Sequence, residues 1–146
     1  MLIGSYNHSV DAKGRVTIPA KFREDLGDSF VITRGLFGRC ITAYSYQRWE
    51  PIQETLMNIS MTDKLGMQVQ ALILGNACEC EVDKMGRILI PQPLKNTVGL
   101  GKDVTVTGLG NRVEIRSSAQ WNEMNAINFD ELSEEDLRHL ESFELR

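Results

Sequence analysis

Val10-Asp11-Ala12-Lys13-Gly14-Arg15-Val16-Thr17-Ile18-Pro19 returns 72 residues later as Val82-Asp83-Lys84-Met85-Gly86-Arg87-Ile88-Leu89-Ile90-Pro91. The agreement runs on at the same offset: Phe22 and Leu26 become Leu94 and Val98, and Gly27 becomes Gly99. Ser45 and Trp49 reappear as Ser117 and Trp121, after an insertion and a deletion that cancel. Such self-similarity at one offset reads as a tandem duplication. It divides the chain into a first repeat (5–47), linking helices (48–75), a second repeat (76–119) and an acidic helical tail (120–146).

Both copies carry the same local signals. Asn7 to Val10 and Cys78 to Val82 lead into an Asp-x-x-Gly-Arg turn, followed by short apolar strands at Val16–Ile18 and Ile88–Ile90. Pro19 and Pro91 suit the first turn of a helix, where the missing N–H costs nothing. The pairs Phe22/Leu26 and Leu94/Val98 face inward, and Gly27 and Gly99 close the helices. Phe30–Thr33 with Cys40–Tyr44, and Val104–Thr107 with Val113–Arg116, read as hairpins. Ser45 and Ser117 then cap helices bearing Trp49/Ile52/Leu56 and Trp121/Met124, and Ser117-x-x-Gln120 matches a capping box. Thr62–Leu74 reads as a bridging helix with Leu65, Val69, Leu72 and Ile73 on one face, stopped by Gly75-Asn76. Glu134–Phe143 reads as a short acidic helix with Leu137 and Leu140 apolar. The class is α+β. Each half has only about 45 residues, too few for a comfortable core of its own, so the halves are expected to interlock with pseudo-twofold symmetry.

The chain has 146 residues, 42% of them hydrophobic, with 16 Lys+Arg against 20 Asp+Glu. Disorder, a membrane span and a secretory leader all find no support in that composition or in its apolar runs. Three cysteines, Cys40, Cys78 and Cys80, fit a reducing compartment better than a disulfide framework, and a cytoplasmic location follows. The net charge of −4 is unevenly spread: residues 1–48 carry +3, 49–80 carry −3, 81–116 carry +2 and 117–146 carry −6. The basic blocks are the two repeats.

Within each turn, Asp11 or Asp83 is placed to accept backbone hydrogens, and Gly14 or Gly86 to take a positive φ. On those grounds alone the element is a tight hairpin. Its duplication sets Arg15 and Arg87 in equivalent places, with Lys13 in the first turn and Lys84 in the second. Arginine can contact phosphate or fork onto a guanine edge, and lysine reaches phosphate.

Asn7-x-x-Val10-Asp11-x-Lys13-Gly14-Arg15-x-x-Ile18-Pro19-Ala20-Lys21-Phe22-Arg23, together with Leu74-Gly75-Asn76-Ala77 and Cys80-Glu81-Val82-Asp83-Lys84-x-Gly86-Arg87-Ile88-Leu89-Ile90-Pro91, resembles the MraZ family of bacterial regulators. Each half resembles a SpoVT-AbrB domain. The resemblance implies a swapped-hairpin, double-psi-like β-barrel with flanking helices. It implies sequence-specific binding of double-stranded DNA through Asp-x-x-x-Arg loops, by a ring-shaped homo-oligomer at the nucleoid. Head-to-tail subunits in such a ring in turn call for direct repeats in the promoter DNA. It further implies transcriptional control of the division and cell-wall gene cluster. The DNA-contact arginine of the family falls on Arg15, with Arg87 as its second-repeat equivalent and Lys13 in the same loop. Lys84 is offset by one position from the repeat partner of Lys13. Cys78 stands where such proteins more often carry serine.

An enzyme finds little support. Neither His8 nor His139 sits in a metal-site-like or nucleophile-site-like neighbourhood in sequence. Cys78-x-Cys80, even with Cys40, falls short of the four ligands usual for structural zinc, so no metal or cofactor is expected. Gly108-x-Gly110-x-x-Val113 lacks the third glycine of a dinucleotide fingerprint, and Gly99-Leu-Gly101-Lys102 lacks Walker spacing. The stronger rival is an oligomeric assembly module without specific DNA binding, in which the Trp49/Ile52/Leu56 helix, the bridging helix and Leu137/Leu140 meet other subunits.

Overall fold

The duplication is written into the strand order of the computed structural model, which describes residues 1–145. In chain order the elements are β1 (Ile3–Ser9), β2 (Arg15–Thr17), α1 (Ala20–Leu26), β3 (Ser29–Arg34), β4 (Ile41–Tyr44), α2 (Tyr46–Met57), α3 (Lys64–Gly75), β5 (Cys78–Glu81), β6 (Arg87–Leu89), α4 (Gln92–Val98), β7 (Asp103–Leu109), β8 (Val113–Ser117), α5 (Ser118–Asn125), a 3-10 turn (Phe129–Glu131) and α6 (Glu134–Glu141). Six strands form one antiparallel sheet in the order β1-β7-β8-β4-β3-β5. Exchanging the repeats, β1 for β5, β3 for β7 and β4 for β8, turns that order into its own reverse. The pseudo-twofold therefore passes between β8 and β4, where the hairpins of the two repeats join.

The halves are interleaved. β1 of the first repeat pairs with β7 of the second, and β5 of the second pairs with β3 of the first. β2 and β6 form a separate two-stranded ribbon across the repeats. Neither half could bury its strands alone.

The sheet is not a closed barrel, which corrects the barrel expected from the family resemblance. Its outer strands are β1 and β5, and the ribbon stands apart from it. Local chemistry explains why. The Asp-x-x-Gly turns swing the chain off β1 and β5, and Pro19 and Pro91, having no N–H, end the ribbon soon after its third residue pair. Only single backbone bonds tie these junctions to the sheet, from Val10 N–H to the Lys102 carbonyl and from Val82 N–H to the Asp28 carbonyl, both 2.8 Å.

The main core lies between the ribbon and the sheet. Val16 and Ile88 from the ribbon, Phe22 and Leu94 from α1 and α4, and Phe30, Ile32, Ile41, Val104, Val106 and Ile115 from the sheet are all nearly solvent-free. Truncating Phe22 in such a setting costs about 3–5 kcal/mol. On the other sheet face, Val31 meets Trp49 and Leu56 of α2 and Ile73 of α3, and the Thr33 hydroxyl donates to the Ile73 carbonyl at 2.6 Å.

Several helix readings change. Pro19 and Pro91 are N-cap residues, one place before the first helical position. α3 begins at Lys64, capped by Asp63, and buries Ile73 with Val69 half-buried, whereas Leu65 is 71% exposed and Leu72 faces solvent too. α5, which bears Trp121 and Met124, buries none of its residues, and Met124 is exposed. Only half of the Ser117 capping box forms, with the Ser117 hydroxyl accepting from Gln120 N–H. α6 packs no buried residue, so Leu137 and Leu140 do not anchor it to the core. Among the described residues no helix is long and apolar enough to cross a membrane.

Candidate nucleic-acid interface

The two turns have nearly the same backbone. In the first, Asp11 Oδ1 accepts from Lys13 N–H at 3.0 Å and Arg15 N–H at 2.8 Å, and Asp11 N–H donates to the Arg15 carbonyl. In the second, Asp83 Oδ1 accepts from Met85 N–H and Arg87 N–H, each at 2.9 Å, and Asp83 N–H donates to the Arg87 carbonyl. Gly14 and Gly86 take φ of +88° and +78°, where a side chain is strained. A reciprocal pair of bonds sews turn to opposite strand: Ile18 N–H to the Gly86 carbonyl and Ile90 N–H to the Gly14 carbonyl, both 2.9 Å.

Each aspartate also holds its arginine. Arg15 Nε donates to Asp11 Oδ2 at 2.8 Å, and Arg87 Nε to Asp83 Oδ2 at 3.2 Å. Arg87 Nη1 lies 3.6 Å from Asp11 Oδ2, so one carboxylate faces both guanidinium groups. The Arg15 N–H, seconded by the Arg15 side chain and Lys13 N–H, lowers the Asp11 carboxyl to about 2. Asp83 is lowered in the same way, chiefly by Arg87 N–H. Both acids are ionised at any physiological pH and hold the arginines by charge-assisted bonds.

The ribbon register turns these groups outward. Arg15 stands opposite Leu89, and Thr17 opposite Arg87, while Val16 and Ile88 between them point into the core. Directly opposite side chains share a face, so Arg15, Thr17, Arg87 and Leu89 form one outward patch. The Arg15 and Arg87 side chains are 33% and 24% exposed, half-held and half-available. Lys13 and Lys84 are exposed at the turn tips.

Two basic residues to which the motifs assign no role, Arg23 and Lys95, also reach the turns. The Arg23 guanidinium lies over Gly86, its Cζ 3.1 Å from where a Cβ would stand, and Lys95 Nζ is 3.8 Å from the same position on Gly14. Arg23 Nε is buried without a hydrogen-bond partner. Arg23 and Lys95 are themselves 72 apart, so each turn receives a cation from the helix of the other repeat. The offset carried that signal, but only the strand exchange brings the partners together.

The other reactive side chains do not assemble. Cys40, Cys78 and Cys80 are free thiols, and burial pushes Cys80 up to about 12, far from a thiolate. The His139 ring packs edge-on against Phe143. Among the described residues no cluster of three His, Cys, Asp or Glu side chains is placed to hold a metal. A surface depression is lined by Val31, Tyr46, Trp49, Glu50, Cys78 and Glu79 among others, and none of the turn residues reaches it.

A family model described as "MraZ protein, putative antitoxin-like" matches residues 1–71 and again 73–142. A "Transcriptional regulator MraZ" of Caldanaerobacter subterraneus subsp. tengcongensis is 44% identical over 148 aligned positions, covering 99% of this chain and 100% of the relative. Proteins of the same name from Caldicellulosiruptor saccharolyticus and Acetivibrio thermocellus are each 47% identical, covering 83% of this chain and 84% of theirs. A solved structure, PHS018 from Pyrococcus horikoshii, is 15% identical with a TM-score of 0.31 over 79% of this chain and 88% of that one.

Proposed function

The chain belongs to the MraZ family, and on that premise we propose that it is a transcriptional regulator that binds double-stranded DNA through its two Asp-x-x-Gly-Arg turns. The observation that carries this reading is the pair of aspartate-held arginines on one outward ribbon face. Holding Nε on a carboxylate fixes the plane of the guanidinium and leaves its terminal amines for an incoming acceptor pair, such as guanine O6 and N7. Lys13, Lys84, Arg23 and Lys95 surround that face with charge for phosphate. Asp11, Gly14, Asp83 and Gly86 serve the loop structure. The strand exchange between repeats agrees with a swapped-hairpin arrangement of the SpoVT-AbrB kind.

The regulator acts in the cytoplasm at the nucleoid, on the division and cell-wall gene cluster. A single chain offers two short basic turns and a net charge of −4, little on which to build nanomolar specificity. A ring of identical subunits converts later contacts into intramolecular ones and multiplies affinity. Head-to-tail subunits repeat one face in one direction, so the operator consists of direct repeats about 10–10.5 bp apart.

The test is titration of duplexes bearing one, two or three copies of a site recovered by selection from random DNA, with a further pair shifted by half a turn. Affinity climbs with copy number, falls on the shift, and drops steeply with salt. Equal affinity for all duplexes, with no salt dependence, would leave the assembly module as the better account. The exposed Met61 and Leu65 around the start of α3 are where such a module would make contact.

A further inference from the structure

The two arginines are equivalent by descent but not by company. Repeat-equivalent positions 17 and 89 carry Thr17 and Leu89, and the ribbon register sets each beside the other repeat's arginine: Leu89 opposite Arg15, Thr17 opposite Arg87. Leu89 is 57% exposed, unlike the isoleucines that flank it, and its Cδ1 leans over the first turn, 3.7 Å from where a Cβ on Gly14 would stand. An open leucine, with Arg15 opposite it and Lys95 Nζ beside the same glycine, is an unusual neighbour for a phosphate. It is a suitable one for the apolar group that a DNA groove displays.

Resting on the DNA-binding reading above, we propose that Leu89 and Thr17 are specificity-determining residues, so that the two arginines of one chain read different base steps. A two-stranded ribbon fits the major groove, where thymine alone of the four standard bases shows a C5 methyl, beside its O4 acceptor. Arg15 with Leu89 selects a guanine next to a thymine, because Leu89 covers the methyl while Arg15 forks onto O6 and N7. Arg87 with Thr17 selects a guanine whose neighbour is read by a hydroxyl, which tolerates more than one base. Along the ribbon the two arginines are two residues apart, about 7 Å, matching two base-pair steps of about 3.4 Å. The charge around Leu89 favours nucleic acid over a protein partner as its occupant. The apolar contact thus comes from one repeat and the guanine contact from the other.

The experiment uses the full-length protein and a duplex recovered by selection from random DNA, with each thymine replaced in turn by deoxyuridine, which lacks only the methyl. Wild type loses about fourfold in affinity per engaged subunit, the worth of one covered methyl, at the thymine beside the guanine whose preference vanishes in Arg15→Ala. Leu89→Thr abolishes that methyl dependence, and Thr17→Leu creates one beside the Arg87 guanine. Both positions face outward, so melting temperature and assembly size stay unchanged. Deoxyuridine tolerated everywhere, with Arg15→Ala still failing to bind the site, overturns the inference and leaves the DNA-binding reading standing. Arg15→Ala binding like wild type overturns both. A smaller assembly in Leu89→Thr, with base preference intact, makes Leu89 a subunit contact and overturns the inference.

Discussion

The first and second turns share a backbone and differ in nearly every side chain that the backbone does not need. Asp11/Asp83 and Gly14/Gly86 are unchanged, and their hydrogen bonds with backbone groups agree to within about 0.1 Å. Across the duplication Lys13 corresponds to Met85, Ala12 to Lys84, Thr17 to Leu89 and Arg23 to Lys95. Positions with a backbone duty have stayed fixed, and exposed ones have diverged. The exceptions are Arg15 and Arg87, outward-facing yet identical, which is the pattern of side chains kept for contact with something outside the chain.

Removing those arginines should break the comparison most sharply. Arg15→Ala and Arg87→Ala are each expected to cost about 1–3 kcal/mol of DNA affinity per engaged chain, compounded through the assembly. Arg87→Ala is the more damaging because it also removes the 3.6 Å link to Asp11 that couples the turns. Titration of a selected duplex, with thermal melting as the control for folding, measures both. Full binding by both variants would reduce the turns to structural hairpins.

The glycines probe the same pair through stability. Gly14→Ala and Gly86→Ala each force a side chain into left-handed backbone, at about 1–2 kcal/mol. A Cβ on Gly14 meets the Ile90 carbonyl at 3.0 Å, which is backbone, whereas one on Gly86 meets the movable guanidinium of Arg23. Gly14→Ala is therefore the costlier, by roughly 1 kcal/mol of overpacking. Urea unfolding of the two variants decides it, and equal losses would mean that the ribbon yields as easily as a side chain.

These differences mark where the sequence is legible. The Asp-x-x-Gly-Arg turns are, because an aspartate bonding two to four residues ahead and a glycine at positive φ act locally. Interlocking halves are legible from the small size of each repeat. The cation that each turn receives from the opposite helix is not, since Arg23 and Lys95 are brought there only by the exchange of strands. β1 hides its first residues, because its outer position leaves Ile3 and Tyr6 exposed and erases alternation. α3 and α5 carry apolar residues at helical spacing that the short sheet cannot cover, so Leu65 and Met124 remain in solvent. A barrel could be expected only by resemblance, and Pro19 and Pro91 were the local sign against its closure.

A finer contrast separates charge at the turn tips. Lys13→Ala should weaken specific and random duplexes alike and lower the slope of log affinity against log salt by about one for each phosphate it no longer neutralises. Met85→Ala, at the equivalent position, should leave that slope unchanged. Binding measured across a salt series checks both. Loss of sequence preference with an unaltered slope in Lys13→Ala would place that lysine on a base edge.

The smallest effect concerns the two aspartates themselves. Asp11 falls from 3.8 to about 2 on folding, held down first by Arg15 N–H, and Asp83 is lowered by Arg87 N–H. A depressed folded value means that the unfolded chain binds protons first. The stabilisation is thus complete above about pH 4 and is lost as pH falls towards about 2. Both carboxylates are open to solvent, which screens the contribution and keeps it modest. Asp11→Asn and Asp83→Asn preserve an acceptor oxygen for the turn and remove the titration. Between pH 5 and pH 2 the variants should lose less stability than wild type, and Asp11→Asn should differ from it the more, since Asp11 faces two guanidinium groups. Urea midpoints across that range provide the measurement. An Asp11→Asn curve running parallel to wild type would mean that Arg15 is held by the shape of the turn and not by its carboxylate, leaving the two turns electrostatically alike.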